Sequence, residues 1–145
     1  MIINVLEGEI KHILVALDGS GASKKGLDRA IYIAKLSGAK ITGVTVVVVY
    51  PTLAGTVINY KKFLTEKTEK MLNSTKKDCE KQKVPFVAKI LYGKPSSQIA
   101  AFASKEKVDL IVTGSKGVGG FKGTILGSIS NSIVQKSKIS VLVVK

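Results

Sequence analysis

Residues 109–130 read DLIVTGSKGVGGFKGTILGSIS, a short apolar run followed by a glycine-rich segment and a second apolar stretch. This order predicts a strand, a loop and the start of a helix. Such a loop exposes unpaired backbone N–H groups, and glycine lets that backbone approach a phosphate closely. Residues 111–145 also contain five lysines and no acid, which suits an anionic ligand. Composition alone leaves a flexible surface loop equally open.

The rest of the chain alternates short β-rich runs with longer helical patterns. Strands are predicted at 12–18, 40–49, 85–92, 109–113 and 140–144, and helices at 23–37, 61–82, 95–106 and 125–137. Residues 51–60 are expected to be irregular because they contain proline and glycine. The alternation predicts a mostly parallel sheet covered by helices on both faces. We expect a single domain over 1–145, with 1–9 as a short N-terminal extension.

Composition argues against several classes of protein. One cysteine, Cys79, and one histidine, His12, disfavour an internal disulfide and a structural zinc site. No segment approaches the roughly 20 apolar residues of a membrane span, so we expect a soluble, cytoplasmic protein. The formal charge of +13 comes almost entirely from lysine, with Arg29 the only arginine. Because proteins that read bases favour arginine, this composition argues against nucleic acid as a partner.

Two common nucleotide motifs are missing. The sequence has no G-x-x-x-x-G-K-[S/T] loop, and Gly19-Ser-Gly21 is followed by Lys24 where a G-x-G-x-x-G motif needs glycine. The spacing that is present is Gly114-x2-Gly117-x9-Gly127-Ser128. It resembles the signature of the ATP-binding branch of the universal stress protein family. VALDGS, Gly93-Lys-Pro95 and SVLVVK extend the resemblance over about 10–145.

The resemblance implies a five-stranded parallel sheet of order 3-2-1-4-5, a Rossmann-like fold of the adenine nucleotide alpha-hydrolase type. It implies an adenine pocket beside the first two strands, a loop for ribose and phosphate, and a triphosphate site at the start of the last helix. The matching positions are, in that order, Ala16, Leu17, Asp18 and Val46; Gly114, Lys116 and Gly117; and Gly127, Ser128, Ile129 and Ser130. Lys116 stands where the family often has arginine.

Several single residues can be interpreted as functional or as structural. Asp18 is either a ribose- or metal-linked carboxylate or the cap of a turn, which the following Gly-Ser-Gly favours in any case. His12 is expected to be structural or exposed, and Cys79 to lie in the core. Ser128 and Ser130 offer hydroxyl donors to a phosphate. A serine-hydrolase mechanism lacks support because no histidine pairs with Ser128.

The function predicted from these observations is binding of ATP, or of AMP or cyclic AMP, by a regulatory stress-response module. Mg²⁺ or Mn²⁺ would accompany the nucleotide, and we expect no metal site formed by the protein alone. A slow ATPase or nucleotidyl transferase is the alternative, although HIGH-like and SGG-x-DS motifs are missing. A basic module for nucleic acid or acidic proteins, and an FMN-binding protein, are further alternatives. The resemblance also implies a homodimer through the edge strand 140–145, besides an unidentified protein partner.

Overall fold

The computed structural model describes residues 8–48, 54–116 and 126–145, with the backbone alone for 54–59. Within these ranges the chain alternates strands and helices, as the sequence predicts. The elements are β1 (His12–Ala16), α1 (Gly21–Ser37), β2 (Lys40–Val47), α2 (Ala54–Lys81), β3 (Phe86–Tyr92), α3 (Pro95–Lys105), β4 (Leu110–Gly114), α4 (Ser128–Lys136) and β5 (Ser140–Val144).

The five strands form one parallel sheet in the order β3-β2-β1-β4-β5, which confirms the predicted topology. At its centre Val15 of β1 lies opposite Gly43 of β2 and Val112 of β4. β1 and β4 read as continuous apolar runs because both of their faces are covered. From β1 the chain adds β2 and β3 on one side of the sheet, and it then adds β4 and β5 on the other side. The winding direction therefore switches between β1 and β4.

A separate apolar core lies on each face of the sheet. On one face, α1 and α2 contribute Leu27, Ala30 and Cys79 to a cluster with Ile13 and Val15. On the other face, Leu14 and Val44 form a cluster with three residues of α3 and α4: Ile99, Ala103 and Ile133. Successive residues of β1 therefore point into opposite cores, as the pleat of a strand requires. Cys79 is fully buried, as predicted.

The ends of the first helix follow from local hydrogen bonding. The Ser20 hydroxyl accepts a hydrogen bond from the Ser23 N–H at 3.1 Å, which caps α1. Gly38 ends the helix in the left-handed conformation at φ 75°, and its N–H donates to the Ala34 carbonyl. Glycine favours this ending because it has no Cβ to clash.

Helix α2 corrects one prediction. The sequence predicted an irregular segment over 51–60 and a helix from 61, but α2 already begins at Ala54. Gly55 falls in the first turn, where unpaired N–H groups are normal and glycine disturbs the helix little. The β-branched run 56–58 (TVI) also reads as strand rather than helix. The predicted start of the last helix at 125 lies outside the described residues.

His12 is a buried structural residue rather than an exposed one. Its Nε2 lies 2.8 Å from the Thr42 hydroxyl, and its Nδ1 lies 3.3 Å from the Glu106 carbonyl oxygen. Burial, followed by the charge of Lys40, lowers the pKa of His12 below its ordinary value. The ring joins β1 to β2 and to the end of α3, at the amino edge of the sheet.

Across the described parts of the chain, no helix combines the length and apolar character that crossing a membrane requires.

Candidate functional site

A cavity of about 90 Å³ opens at the carboxyl edge of the sheet. It lies over the ends of β1, β2 and β4, between the first turns of α3 and α4. Helix α1 follows β1 onto one face of the sheet, and the helix after β4 packs on the other face. The cavity therefore occupies the point where the winding direction switches, the usual ligand position in open α/β sheets. Its lining residues are Ala16, Leu17, Asp18, Ser23, Val44, Val46, Pro95, Ile99, Thr113, Gly114, Lys116, Ile129 and Ser130.

The inner walls of this cavity are apolar. Leu17, Val44 and Ile99 are almost completely buried, and Val46 lies two residues further along β2, on the same face as Val44. At the mouth, Ile129 of α4 leaves 43% of its surface exposed. A narrow apolar slot with a half-exposed apolar residue at its entrance suits a flat, weakly polar ring system.

The polar side of the cavity includes one carboxylate and one ammonium group. Asp18 is exposed, and its Oδ1 accepts a hydrogen bond from the Ser20 N–H at 2.9 Å. The turn role expected for Asp18 is therefore confirmed, and the same residue also borders the cavity. Lys116 is half-buried just beyond β4 and supplies the positive charge.

The two helices that begin at this edge differ in their first turns. Helix α1 is capped by Ser20, and the Ser23 hydroxyl donates to the Ser20 carbonyl at 3.0 Å. At the start of α4, Gly127 is the N-cap, and no described side chain caps it. The first N–H groups of α4 therefore lack partners within the helix. At α1, by contrast, the Ser23 N–H is already engaged by the Ser20 hydroxyl, so α4 offers an anion at this edge more N–H groups than α1 does.

A pair of hydrogen bonds fixes the start of α4 to the end of β4. The Gly127 N–H donates to the Ser115 carbonyl at 2.7 Å, and the Ser130 hydroxyl donates to the Gly114 carbonyl at 2.5 Å. The Ser130 hydroxyl is thus engaged within the protein, and its predicted role as a donor to phosphate stays a prediction. Its hydroxyl holds the helix in place, and Ser128 remains exposed.

Most of the predicted site residues meet at this cavity. Its lining includes eight of them: Ala16, Leu17, Asp18, Val46, Gly114, Lys116, Ile129 and Ser130. Gly127 and Ser128 are not in the lining, but they begin the helix that carries Ile129. Gly117 lies outside the described residues.

Five lining residues were missed by sequence reasoning: Ser23, Val44, Pro95, Ile99 and Thr113. A signal existed for two of them. Val44 follows from Val46 by the two-residue period of a strand, and Pro95 belongs to the Gly93-Lys-Pro95 motif that the sequence analysis had noted. Ile99 lies one turn further along α3, on the same face as Pro95.

Fold and cavity define the class: a doubly wound parallel α/β protein with a ligand crevice at the switch point of its sheet. Comparison with known proteins then identifies the family. The sequence model of the universal stress protein family matches residues 9–145. The universal stress protein MJ0531 of Methanocaldococcus jannaschii is 34% identical over 143 residues, which cover 96% of this chain and 84% of that protein. This chain belongs to the universal stress protein family.

Solved structures agree with this assignment. The structure of the protein MJ0577 matches with a TM-score of 0.87 and 27% identity, over 94% of this chain and 96% of that one. A universal stress protein in complex with cAMP matches with a TM-score of 0.74 and 25% identity, over 94% of this chain and 98% of that one.

Proposed function

We propose that this protein binds an adenine nucleotide, with ATP as the first candidate, and acts as a regulatory module of the stress response. The observation that carries the proposal is the apolar slot at the switch point of the sheet, beside the start of α4, which no described side chain caps. A relative of the same fold has been solved in complex with cAMP, which supports an adenine nucleotide as the ligand.

Each part of the nucleotide has a matching part of the site. The base would enter between Val44 and Val46 on one side and Ile99 on the other. Asp18 would accept hydrogen bonds from the ribose hydroxyl groups. The phosphates would receive hydrogen bonds from the N–H groups at the start of α4, with Lys116 adding charge. A few charge-assisted hydrogen bonds together with base burial reach about −8 kcal/mol, the free energy of micromolar binding.

The base pocket can be tested with a matched pair of variants. Val46→Asp places a carboxylate in the apolar slot, whereas Val87→Asp places the same charge on the exposed edge strand β3, where Val87 is 51% exposed. We expect calorimetric titration with ATP, AMP and cAMP to show micromolar binding to wild type and to Val87→Asp. Binding should be lost in Val46→Asp. Equal binding by both variants would refute the base pocket.

The phosphate half of the site needs a separate variant. Gly127 has φ −58° and ψ 152°, a backbone conformation that valine also adopts. Gly127→Val therefore adds bulk at the start of α4 without backbone strain. We expect it to weaken ATP more than adenosine, because only ATP reaches that helix with its phosphates. Equal weakening of both ligands would contradict the phosphate position.

Binding is favoured over catalysis by the placement of the titratable groups. Asp18 is the only carboxylate among the described lining residues, and it already accepts the Ser20 N–H. His12 lies at the opposite edge of the sheet and is engaged by Thr42. We expect no turnover of radiolabelled ATP above that of a Ser128→Ala control. Sustained release of phosphate by wild type alone would establish an ATPase instead.

Homodimerisation is part of the proposal. β5 is an edge strand, and the Val144 carbonyl accepts the Ser115 N–H from the side of β4. Because backbone groups alternate along a strand, Val143 presents its N–H outward, to a partner strand. Val143→Pro removes that donor while leaving the bonds to β4 in place. Light scattering should give a dimer for wild type and a monomer for the variant, and a monomeric wild type at micromolar concentration would contradict the dimer.

A further inference from the structure

Two lysines from different helices converge beside the first turn of α3. Lys136, in the last turn of α4, donates through Nζ to the Ser97 hydroxyl at 3.1 Å and to the Ser96 hydroxyl at 3.3 Å. Lys94, the N-cap residue of α3, lies close enough for its charge to act on the Lys136 ammonium group. Partial desolvation and the Lys94 charge lower the pKa of Lys136 below its ordinary value.

This pair of positive charges has no protein counter-ion among the residues that the structure describes. The ion pairs found there involve Lys11 and Lys24, far from α3 in sequence. The first turn of α3 contains no acid either. Bringing two ammonium groups together without a carboxylate is unfavourable, and an anion between them removes the repulsion.

The two serines complete a set of donors. Each hydroxyl oxygen accepts a hydrogen bond from Lys136, which leaves its own O–H free to donate to another group. Ser96 is 2% exposed, so its hydroxyl serves to hold the Lys136 ammonium group, whereas the partly exposed Ser97 hydroxyl is open to a ligand. Two ammonium groups and the Ser97 hydroxyl can all donate to the oxygens of a tetrahedral oxyanion.

We propose that Lys94, Lys136, Ser96 and Ser97 form a binding site for a phosphate group. The site is distinct from the apolar cavity, which α3 borders through Pro95 and Ile99 instead. Lys136 belongs to α4 and the other three residues to the start of α3, so a bound phosphate would join these two helices. Both helices also wall the cavity, which places the phosphate site next to the proposed nucleotide site without sharing a side chain with it.

The test is a titration of nucleotide-free protein with inorganic phosphate at constant ionic strength, in which amide NMR monitors binding. Sodium chloride serves as the reference salt. We expect saturable shifts at the Ser96 and Ser97 amides in wild type. The double variant Lys94→Gln/Lys136→Gln should bind phosphate about tenfold more weakly or worse, because it lacks both charge-assisted bonds.

Two further variants separate a site from a general charge effect. Lys105→Gln/Lys138→Gln removes the same charge from exposed positions, at the C-terminal end of α3 and just beyond α4, and should change phosphate affinity by less than about twofold. Lys94→Arg/Lys136→Arg keeps both charges and should retain binding. The absence of saturable shifts in wild type, or equal losses in both glutamine pairs, would overturn the proposal.

The source of the phosphate group is assigned by repeating the titration with ATP and with adenosine. If the site takes a phosphate of the bound nucleotide, Lys94→Gln/Lys136→Gln weakens ATP and leaves adenosine unchanged. If it takes a free phosphate, the variant leaves both unchanged while losing inorganic phosphate. The inorganic phosphate titration uses nucleotide-free protein, so its failure would not bear on the proposed nucleotide site.

Discussion

Two facing glycines at the contact between α1 and β4 should respond in opposite ways to the same substitution. A Cβ added to Gly114 would lie 2.6 Å from the Ala22 carbonyl carbon and 2.8 Å from the Ala22 oxygen and Cβ. A Cβ added to Gly26 would find its nearest neighbour, the Gly114 nitrogen, at 3.6 Å. The first distance is a clash with backbone, and the second is ordinary contact.

The magnitudes follow from these distances. Comfortable separations are about 3.5–4.0 Å, so Gly114→Ala requires the first turn of α1 to move by about 1 Å. Overpacking of this kind costs about 1–3 kcal/mol, and we expect the upper part of that range because the obstacle is backbone. Gly26→Ala introduces no clash and should stabilise α1 by about 0.5–1 kcal/mol, the usual gain of alanine over glycine within a helix.

Urea unfolding followed by circular dichroism measures both effects. With a slope of about 1–3 kcal/mol per molar urea, Gly114→Ala should lower the midpoint by roughly 1–2 M, and Gly26→Ala should raise it slightly. The slope itself should stay constant. Two variants that unfold at the wild-type midpoint, or a destabilised Gly26→Ala, would refute the described packing of α1 on β4.

Three other consequences are open to simple measurements. Because the pKa of His12 is lowered by burial, the free energy of unfolding should fall as the pH drops below about 6.5, by up to about 1.4 kcal/mol per pH unit. His12→Gln should flatten that slope in urea titrations between pH 7 and 5.5, and an unchanged slope would exclude His12 as its source. Ser20→Ala removes the cap of α1 and should cost about 1 kcal/mol in the same assay, so a neutral result would contradict the cap. Cys79 is fully buried, and burial raises its pKa to about 11, so a thiol reagent should label it only in urea; rapid labelling of the native protein would argue against that packing.

The sheet and its order were predictable because both rest on patterns that many residues share. Continuous apolar runs such as 12–16 predict buried parallel strands, and the helices between them require crossovers. The strand order itself came from the family resemblance. The early start of α2 at Ala54 was not predictable, because Gly55 favours a loop and the β-branched residues 56–58 favour a strand.

The candidate site was predictable on the side of β1, β4 and α4, but on the side of α3 only Pro95 had a signal in the sequence. Residues at the end of a strand or beside a glycine motif carry a local signal, as Asp18 and Gly114 do. Ile99 carries none, since only the crossing of α3 over β2 brings it to the cavity. The engagement of Ser130 by Gly114 joins residues 16 positions apart, so it also depends on the folded arrangement.

Amide NMR of nucleotide-stripped protein titrated with ATP tests most directly whether an adenine nucleotide occupies the cavity at the carboxyl ends of β1 and β4. We predict saturable micromolar shifts that concentrate at residues 16–18, at Val46, at Gly114 and at the start of α4. The amides near His12, at the opposite edge of the sheet, should stay unchanged. Shifts that are absent, or that gather instead around the exposed lysines of α2, such as Lys62, Lys67 and Lys70, would contradict nucleotide binding in this cavity.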